Sequence, residues 1–344
     1  MSAVATNPAA PHAELLRIEG ISKRFVKPVD LAGRIANLLG AKNRESVVHA
    51  VDSVDLTVAE GEVVGLVGES GCGKSTLGRV IAGIHEASEG RVFWRGQDIA
   101  EMDGPARQVF TLGAQMIFQD PMSSLNPRIR AGEIVGEAPR VHGLMNGAAQ
   151  DEYVAGLFRQ VGLDPTYRRR FPHQFSGGQR ARIGIARALA VQPKLLVCDE
   201  SVAALDVSIQ AQVLNLFMDL REALGLAYVF ISHDLGVVRH IADRIFIMYL
   251  GRVIESGRSA DIFRDPQHPY TRALLDNVPR LDARKRSFST VKGEIPSPLN
   301  PPTGCHFHPR CGLAGPRCSR ETPKKIVEGD GRMVACHLAD GGVG

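Results

Sequence analysis

The chain has no long apolar run. Stretches such as LAYVFI and IFIMYL are far shorter than the roughly 20 residues that a membrane-spanning helix requires, which leaves any membrane role to a partner. The opening MSAVATNPAAPHAE lacks the basic and apolar regions of a secretory leader. Its Ala/Pro composition predicts a disordered lead over residues 1–13 and a chain that stays in the cytosol. Charge of one sign is missing too: 41 basic and 37 acidic residues are spread throughout, for a net charge of +4. That excess suits an anionic ligand and forms no nucleic-acid stripe. Cysteine is scarce, six in 344 residues, and in a reducing compartment structural disulfides are not expected. There is no internal repeat.

What the chain does have is an alternating texture. Its 344 residues, 44% hydrophobic, suffice for one large domain and a smaller one. Short β-branched runs at 62–68 (EVVGLVG), 194–200 (KLLVCDE) and 227–232 (AYVFIS) alternate with helical patterns from Lys74 to about Ile84 and near 208–224. This is the rhythm of a largely parallel sheet covered by helices. Between Gln119 and Phe175 helical patterns take over, predicting a helical subdomain inserted into the α/β core. From about Ser259 the chain turns rich in Pro, Arg and Cys and strand signals fade, which predicts a distinct C-terminal appendage.

The residues GESGCGKST at 68–76 follow a predicted strand and open a predicted helix, the context in which G-x-x-x-x-G-K-(S/T) binds phosphate. Gly68, Gly71 and Gly73 let the backbone curl so that successive N–H groups surround phosphate oxygens. Lys74 reaches the β- and γ-phosphates, Ser75 ligates Mg2+ and Thr76 holds the α-phosphate. In LLVCDE two carboxylates end a buried strand, where a sheet of this class presents its ligand. Asp199 suits Mg2+ through water, and Glu200 suits the proton of a water attacking the γ-phosphate. Gln119 (MIFQDP), His233 (FISHDL) and Asp206 (ALDVS) fit the same site. Taken alone, a histidine at a strand end is usually a structural hydrogen-bonder; here His233 and Glu200 each follow an apolar strand, which predicts that both emerge at one sheet edge.

A second glycine-rich stretch, QFSGGQR at 174–180, sets Ser176 at the start of a helical pattern that carries Ile183, Ile185, Ala186, Leu189 and Ala190. Free N–H groups at such a start suit an anion, and Gly177 and Gly178 remove side chains that would block its approach. A plain serine N-cap with a flexible lead-in explains the stretch equally well.

In their order, GESGCGKST, FQDP, FSGGQR, LLVCDE, ALD and SHD resemble the motifs of ATP-binding cassette proteins, from about Leu15 to Gly257. The resemblance implies an α/β P-loop NTPase cassette over 14–257. It would have a mainly parallel core sheet, an N-terminal antiparallel β-subdomain and an inserted helical subdomain at about 119–175. It also implies two cassettes packed head to tail with ATP and Mg2+ between them. In that arrangement Phe25, Gly68, Glu69, Ser70, Gly71, Cys72, Gly73, Lys74, Ser75, Thr76, Gln119 and Asp199 bind nucleotide, with Ser75, Gln119 and Asp199 around Mg2+. Glu200, His233, Gln119 and Lys74 carry the catalysis. Ser176, Gly177, Gly178, Gln179 and Asp206 reach the nucleotide held by the other cassette. Phe25, for which a core role is the competing reading, is separated from the P-loop by an insert at about 26–47, and Ala203 stands where the family carries serine. In that insert, LAGRIANLLG places Leu31, Ile35, Leu38 and Leu39 on one helical face, predicting packing on its own cassette, with a membrane subunit or lipid headgroups as the alternative.

Beyond the cassette, HPYTRALLDNVP (268–279), GEIPSPLNPPTGCHFHPRC (293–311) and CH (336–337) resemble the tail of oligopeptide and dipeptide importer ATPases, here 258–344. HPYTRALL by itself reads equally well as an amphipathic helix packing on the core. The resemblance implies a peripheral ATPase at the cytoplasmic face of the cell membrane. Its partners would be a second, paralogous cassette, two membrane-spanning permeases and an extracytoplasmic binding protein, with no nucleic acid. The alternatives are a soluble ATPase acting on ribosomes or DNA, and a cargo of nickel complexes or glutathione. Cys305, Cys311, Cys318 and Cys336 leave gaps of five, six and seventeen residues in a Pro-rich segment with few core residues, which predicts a metal staple. Close C-x(2–4)-C pairs suited to zinc are absent and wider gaps suit an iron–sulfur cube. The resemblance also implies a 4Fe-4S cluster, so iron–sulfur is placed first and zinc second, with His306, His308 or His337 as replacement ligands or nearby donors.

Overall fold

The computed structural model describes residues 13–29, 45–120, 124–276, 293–329 and 331–340. The expected disordered lead and the LAGRIANLLG face lie outside the described residues. The described strands form two sheets. In the first, β1 (Glu14–Lys27), β2 (Ser46–Ala59), β4 (Glu89–Trp94) and β5 (Gln97–Asp98) are antiparallel in the order β2-β1-β4-β5. In the second, β3 (Val63–Val67), β6 (Ala114–Ile117), β7 (Leu195–Asp199), β8 (Ala227–Ser232) and β9 (Arg244–Tyr249) run parallel, in the order β9-β3-β8-β7-β6. β10 (Arg252–Arg258) then folds back antiparallel on β9.

The central strands are buried on both faces, which is why they read as continuous apolar runs. Their alternation divides the side chains between two layers. Val64 and Leu66 of β3, Leu195 and Val197 of β7, and Val229 and Ile231 of β8 face the antiparallel sheet and Leu77, Val80 and Ile81 of the helix Lys74–Ile81. Val67, Leu196, Cys198, Tyr228 and Phe230 face the opposite way, into a core shared with Ile134 and Val135 of the helix Ala131–Val141 and Val154 and Phe158 of the helix Gly147–Gln160. Between Gln119 and Phe175 the described elements are these two helices and short 3-10 turns.

The C-terminal segment is not a separate body. β12 (Met333–Val334) pairs antiparallel with β10, Glu255 opposite Val334, and β11 (Ile326–Val327) pairs with β12, so the tail extends the edge of the central sheet. Two-residue strands carry no readable period, which is why the sequence shows only fading strand signals there. Glu255, fully buried, accepts from the backbone N–H groups of Gln267 (2.8 Å) and His268 (2.9 Å) and pairs with Arg332 at 2.7 Å. Phe307, 3% exposed, packs its ring 5.2 Å from Tyr249 and 5.3 Å from Tyr270, so the tail contributes to the main core.

Candidate functional site

Chain direction brings the site together. β3, β6, β7 and β8 are parallel, so their C-terminal ends share one edge, with Val67 in register with Ser232 and Asp199 with Ile231. Residues 68–76 leave that edge after β3, Gln119 just after β6, Asp199 and Glu200 at the end of β7, and His233 after β8. The loop 68–73 depends on glycine where its own chain crowds it. A Cβ at Gly68 would lie 2.1 Å from the Met248 carbonyl oxygen, and one at Gly73, where φ is +104°, 2.0 Å from that of Ala50. Only glycine fits such positions without displacing backbone.

Lys74 is 4% exposed, and its ammonium donates to the carbonyls of Gly68 (2.8 Å) and Glu69 (2.9 Å). Ser75 Oγ donates to Asp199 Oδ1 at 2.7 Å. Burial at the strand end pushes the Asp199 carboxyl up, a trend that the Ser75 hydrogen bond opposes. A buried carboxylate beside a hydroxyl is the hard oxygen donor set that Mg2+ takes, and the cation's charge would offset the carboxylate's burial. Glu200 is held on both oxygens: Gln119 Nε2 donates to Oε2 at 2.7 Å, and His233 Nδ1 lies 3.3 Å from Oε1. Its backbone sits at φ 45°, a left-handed conformation rare for a non-glycine residue, with its N–H bonded to the Ile231 carbonyl at 3.0 Å.

These groups open into a cleft of about 300 Å3, lined by Gly71, Gly73, Lys74, Ser75, Thr76, Gln119 and Glu200 on one side and by Phe25, Val48 and Pro298 on the other. Phe25 reaches the cleft because β1 and β2 pair Phe25 with Val48, so the insert leaves and rejoins the sheet at adjacent positions. Its ring is 39% exposed, edge-on to His85 at 5.7 Å. Cys72 is buried beneath the loop and its thiol is pushed up by that burial.

Ser176, Gly177, Gly178, Gln179 and Asp206 do not line this cleft. Ser176 caps the helix Gly177–Leu189, its Oγ accepting from the Gln179 N–H at 3.4 Å while Gln179 Oε1 accepts from the Ser176 N–H at 3.0 Å. Asp206 precedes the helix Val207–Leu224 and is exposed. The two helix starts adjoin: a Cβ at Gly178 would lie 2.4 Å from Ile209 Cγ2.

The expected metal staple is corrected. Among the described residues no three His, Cys, Asp or Glu side chains are grouped so as to hold a metal ion, so neither the 4Fe-4S nor the zinc expectation at Cys305, Cys311, Cys318 and Cys336 is supported. Burial pushes the Cys305 thiol up to about 11 and raises those of Cys311 and Cys336, with the neighbouring thiols of the same four adding to each rise. Cys305 and Cys311 pack as small apolar groups against the main core. The histidines are engaged with backbone carbonyls: His306 Nδ1 with Leu250 (3.0 Å), His308 Nδ1 with Cys305 (2.9 Å) and His337 Nε2 with Glu321 (2.9 Å). Strand pairing, Phe307 and the Glu255–Arg332 ion pair tie the tail to the core of the cassette, so it is ordered without a core of its own.

Sequence reasoning missed Tyr270, Arg310 and Pro298 as neighbours of the site. Tyr270 was visible only as part of a helix that packs on the core, and nothing local marks Arg310.

A family model described as ABC transporter matches residues 51–203, and one described as oligopeptide/dipeptide transporter, C-terminal region, matches 254–318. The chain is 47% identical over 325 residues to the probable peptide ABC transporter ATP-binding protein y4tS of Sinorhizobium fredii, covering 94% of this chain and 90% of that protein. It is 48% identical over 298 residues to the oligopeptide transport ATP-binding protein OppF of Escherichia coli, covering 85% and 89%. With the dipeptide transport ATP-binding protein DppF of Haemophilus influenzae it shares 44% over 336 residues, covering 97% and 100%. Among solved structures it resembles a dimeric ATP-binding cassette in a post-hydrolysis state bound to ADP and Pi, at TM-score 0.60 and 26% identity, over 71% of this chain and 99% of that one. Among the described residues no helix is long and apolar enough to cross a membrane.

Proposed function

The chain belongs to the ABC transporter family and is an ATPase of that family, and from that premise we propose that it powers import of oligopeptides or dipeptides as the ATP-hydrolysing subunit of a membrane transporter. ATP phosphates lie against the N–H groups of residues 71–76, with Lys74 turning from the carbonyls of Gly68 and Glu69 to the β- and γ-phosphates and Phe25 stacking on adenine. Ser75, Asp199 and Gln119 would hold Mg2+, which would supply positive charge against the phosphates. Glu200 takes the proton of the attacking water, oriented by Gln119 and His233. The double grip on Glu200, 2.7 and 3.3 Å from two different loops, is the observation that carries this reading.

Ser176, Gly177 and Asp206, exposed, and Gly178 and Gln179, half-buried, sit at adjoining helix starts outside the cleft and fit nucleotide held by a second, paralogous cassette. Two permeases and an extracytoplasmic binding protein complete the transporter, and the chain sits peripherally on the cytoplasmic face. The peptide cargo is supported by the relatives' names and by the match over 254–318. Copurification with the membrane partners, followed by ATPase assays with binding protein loaded with dipeptide, longer peptide, nickel complex or glutathione, tests it. Stimulation by peptide-loaded protein alone is expected. Recovery on ribosomes or DNA instead would overturn the reading.

A further inference from the structure

One residue of the phosphate loop is held almost entirely by the distant C-terminal segment. The backbone N–H of Glu69 donates to Tyr270 Oη at 3.0 Å. Its carboxylate is gripped by both prongs of Arg310, Nη1 to Oε2 at 2.7 Å and Nη2 to Oε1 at 3.1 Å. Its carbonyl accepts from Lys74. Arg310 is 6% exposed at the side chain and also reaches Tyr249 Oη at 3.5 Å. Tyr249, Tyr270 and Phe307 pack ring on ring at 4.8 to 5.3 Å, fixing both the tyrosine hydroxyl and the turn that carries Arg310.

A carboxylate in a phosphate-binding loop is electrostatically adverse, because Glu69 adjoins Ser70 and Gly71, which line the cleft. Left unpaired, its charge would oppose the phosphates at short range, where screening is weak. A bidentate arginine both neutralises that charge and fixes the side chain's direction. We infer that Arg310 and Tyr270 are positioning residues of the ATP site: acting through Glu69, the C-terminal segment presets the phosphate loop and cancels the one negative charge within it. This rests on the ATP-site reading above and assigns the C-terminal segment a part in nucleotide affinity.

The test is ATP binding by purified full-length chain, measured calorimetrically alongside thermal melting, with Arg310→Gln, Glu69→Gln, the double variant, Arg310→Lys, Tyr270→Phe and Lys74→Ala. Arg310→Gln should weaken ATP binding about tenfold, within the range of ordinary site-to-site coupling. Adding Glu69→Gln should restore it to within about threefold, because the offending charge is gone. Arg310→Lys should fall between, keeping charge but losing the fork. Tyr270→Phe, which removes a single oxygen and is the variant least able to disturb folding, should weaken binding about threefold, the loss of one hydrogen bond. If Arg310→Gln and Tyr270→Phe bind ATP like the parent while Lys74→Ala does not, the inference fails and the ATP site stands. If Lys74→Ala also binds normally, the ATP-site reading fails and takes the inference with it. If Arg310→Gln weakens binding and lowers the melting temperature with no rescue by Glu69→Gln, Arg310 is merely structural and the inference is overturned.

Discussion

The molecule has two glycine-rich helix starts, and they have glycine for different reasons. At 68–76 the protein's own backbone forbids anything larger, with carbonyl oxygens 2.1 and 2.0 Å from where a Cβ would sit on Gly68 and Gly73. At 176–179 Gly178 is crowded by Ile209, but a Cβ on Gly177 would meet nothing closer than Leu205 Cδ2 at 3.7 Å, an ordinary contact. The fold of this chain explains the first start and leaves Gly177 unexplained. A small residue that its own chain does not require, at the exposed and capped start of a helix, is what a surface kept clear for another molecule looks like.

The strongest way to sharpen this contrast is Glu200→Gln, which removes the proposed base and leaves both helix starts intact. Hydrolysis should fall about 10²- to 10⁴-fold with ATP affinity retained. Hydrogen exchange on the ATP-trapped dimer should then show new protection at 176–179, and unchanged exchange there would break the idea of a cleared surface. Next in size is Gly73→Ala. Backbone strain of about 1–3 kcal/mol, added to overlap with the Ala50 carbonyl, should weaken ATP binding by the isolated chain about 100-fold. Parental affinity would show that crowding at the first start does not matter. Ser176→Arg should leave ATP binding by the isolated chain within about twofold, yet lower hydrolysis in the assembled transporter about tenfold by misplacing the nucleotide at the site whose P-loop lies on the partner cassette. Loss confined to this chain's own P-loop would contradict the head-to-tail arrangement. The smallest effect is expected of Gly177→Ala. Alanine should stabilise the helix by about 0.5–1 kcal/mol, raising the melting temperature, while transporter ATPase activity drops only a few-fold. A rise in both would mean that Gly177 faces nothing.

The parts of this architecture that could be read beforehand are those with a local period or a fixed spacing. β3, β7 and β8 announce themselves because strands buried at every position read as nearly continuous apolar runs. The phosphate loop does so because lysine, serine and glycines must stand at set offsets. Phe25 could not be placed from sequence spacing, since strand pairing with Val48, not distance along the chain, carries it to the cleft. The docking of the cysteine-bearing tail could not be read from sequence for a physical reason. Its few apolar residues looked too sparse for a core, yet Tyr270 and Phe307 insert into one built by the cassette. The grip on Glu69 leaves no trace in local pattern, because its partners lie 201 and 241 residues further on.

That separation has a consequence for the order in which the protein is made. A nascent chain emerges N-terminus first and its domains fold as they appear. The phosphate loop is therefore exposed to cellular ATP well before Tyr270 and Arg310 leave the ribosome. During that interval Glu69 carries its charge unopposed, so the emerging cassette should bind nucleotide weakly until its last segment docks. The segment that completes the sheet edge would then also mark the moment at which a newly synthesised subunit becomes competent for ATP.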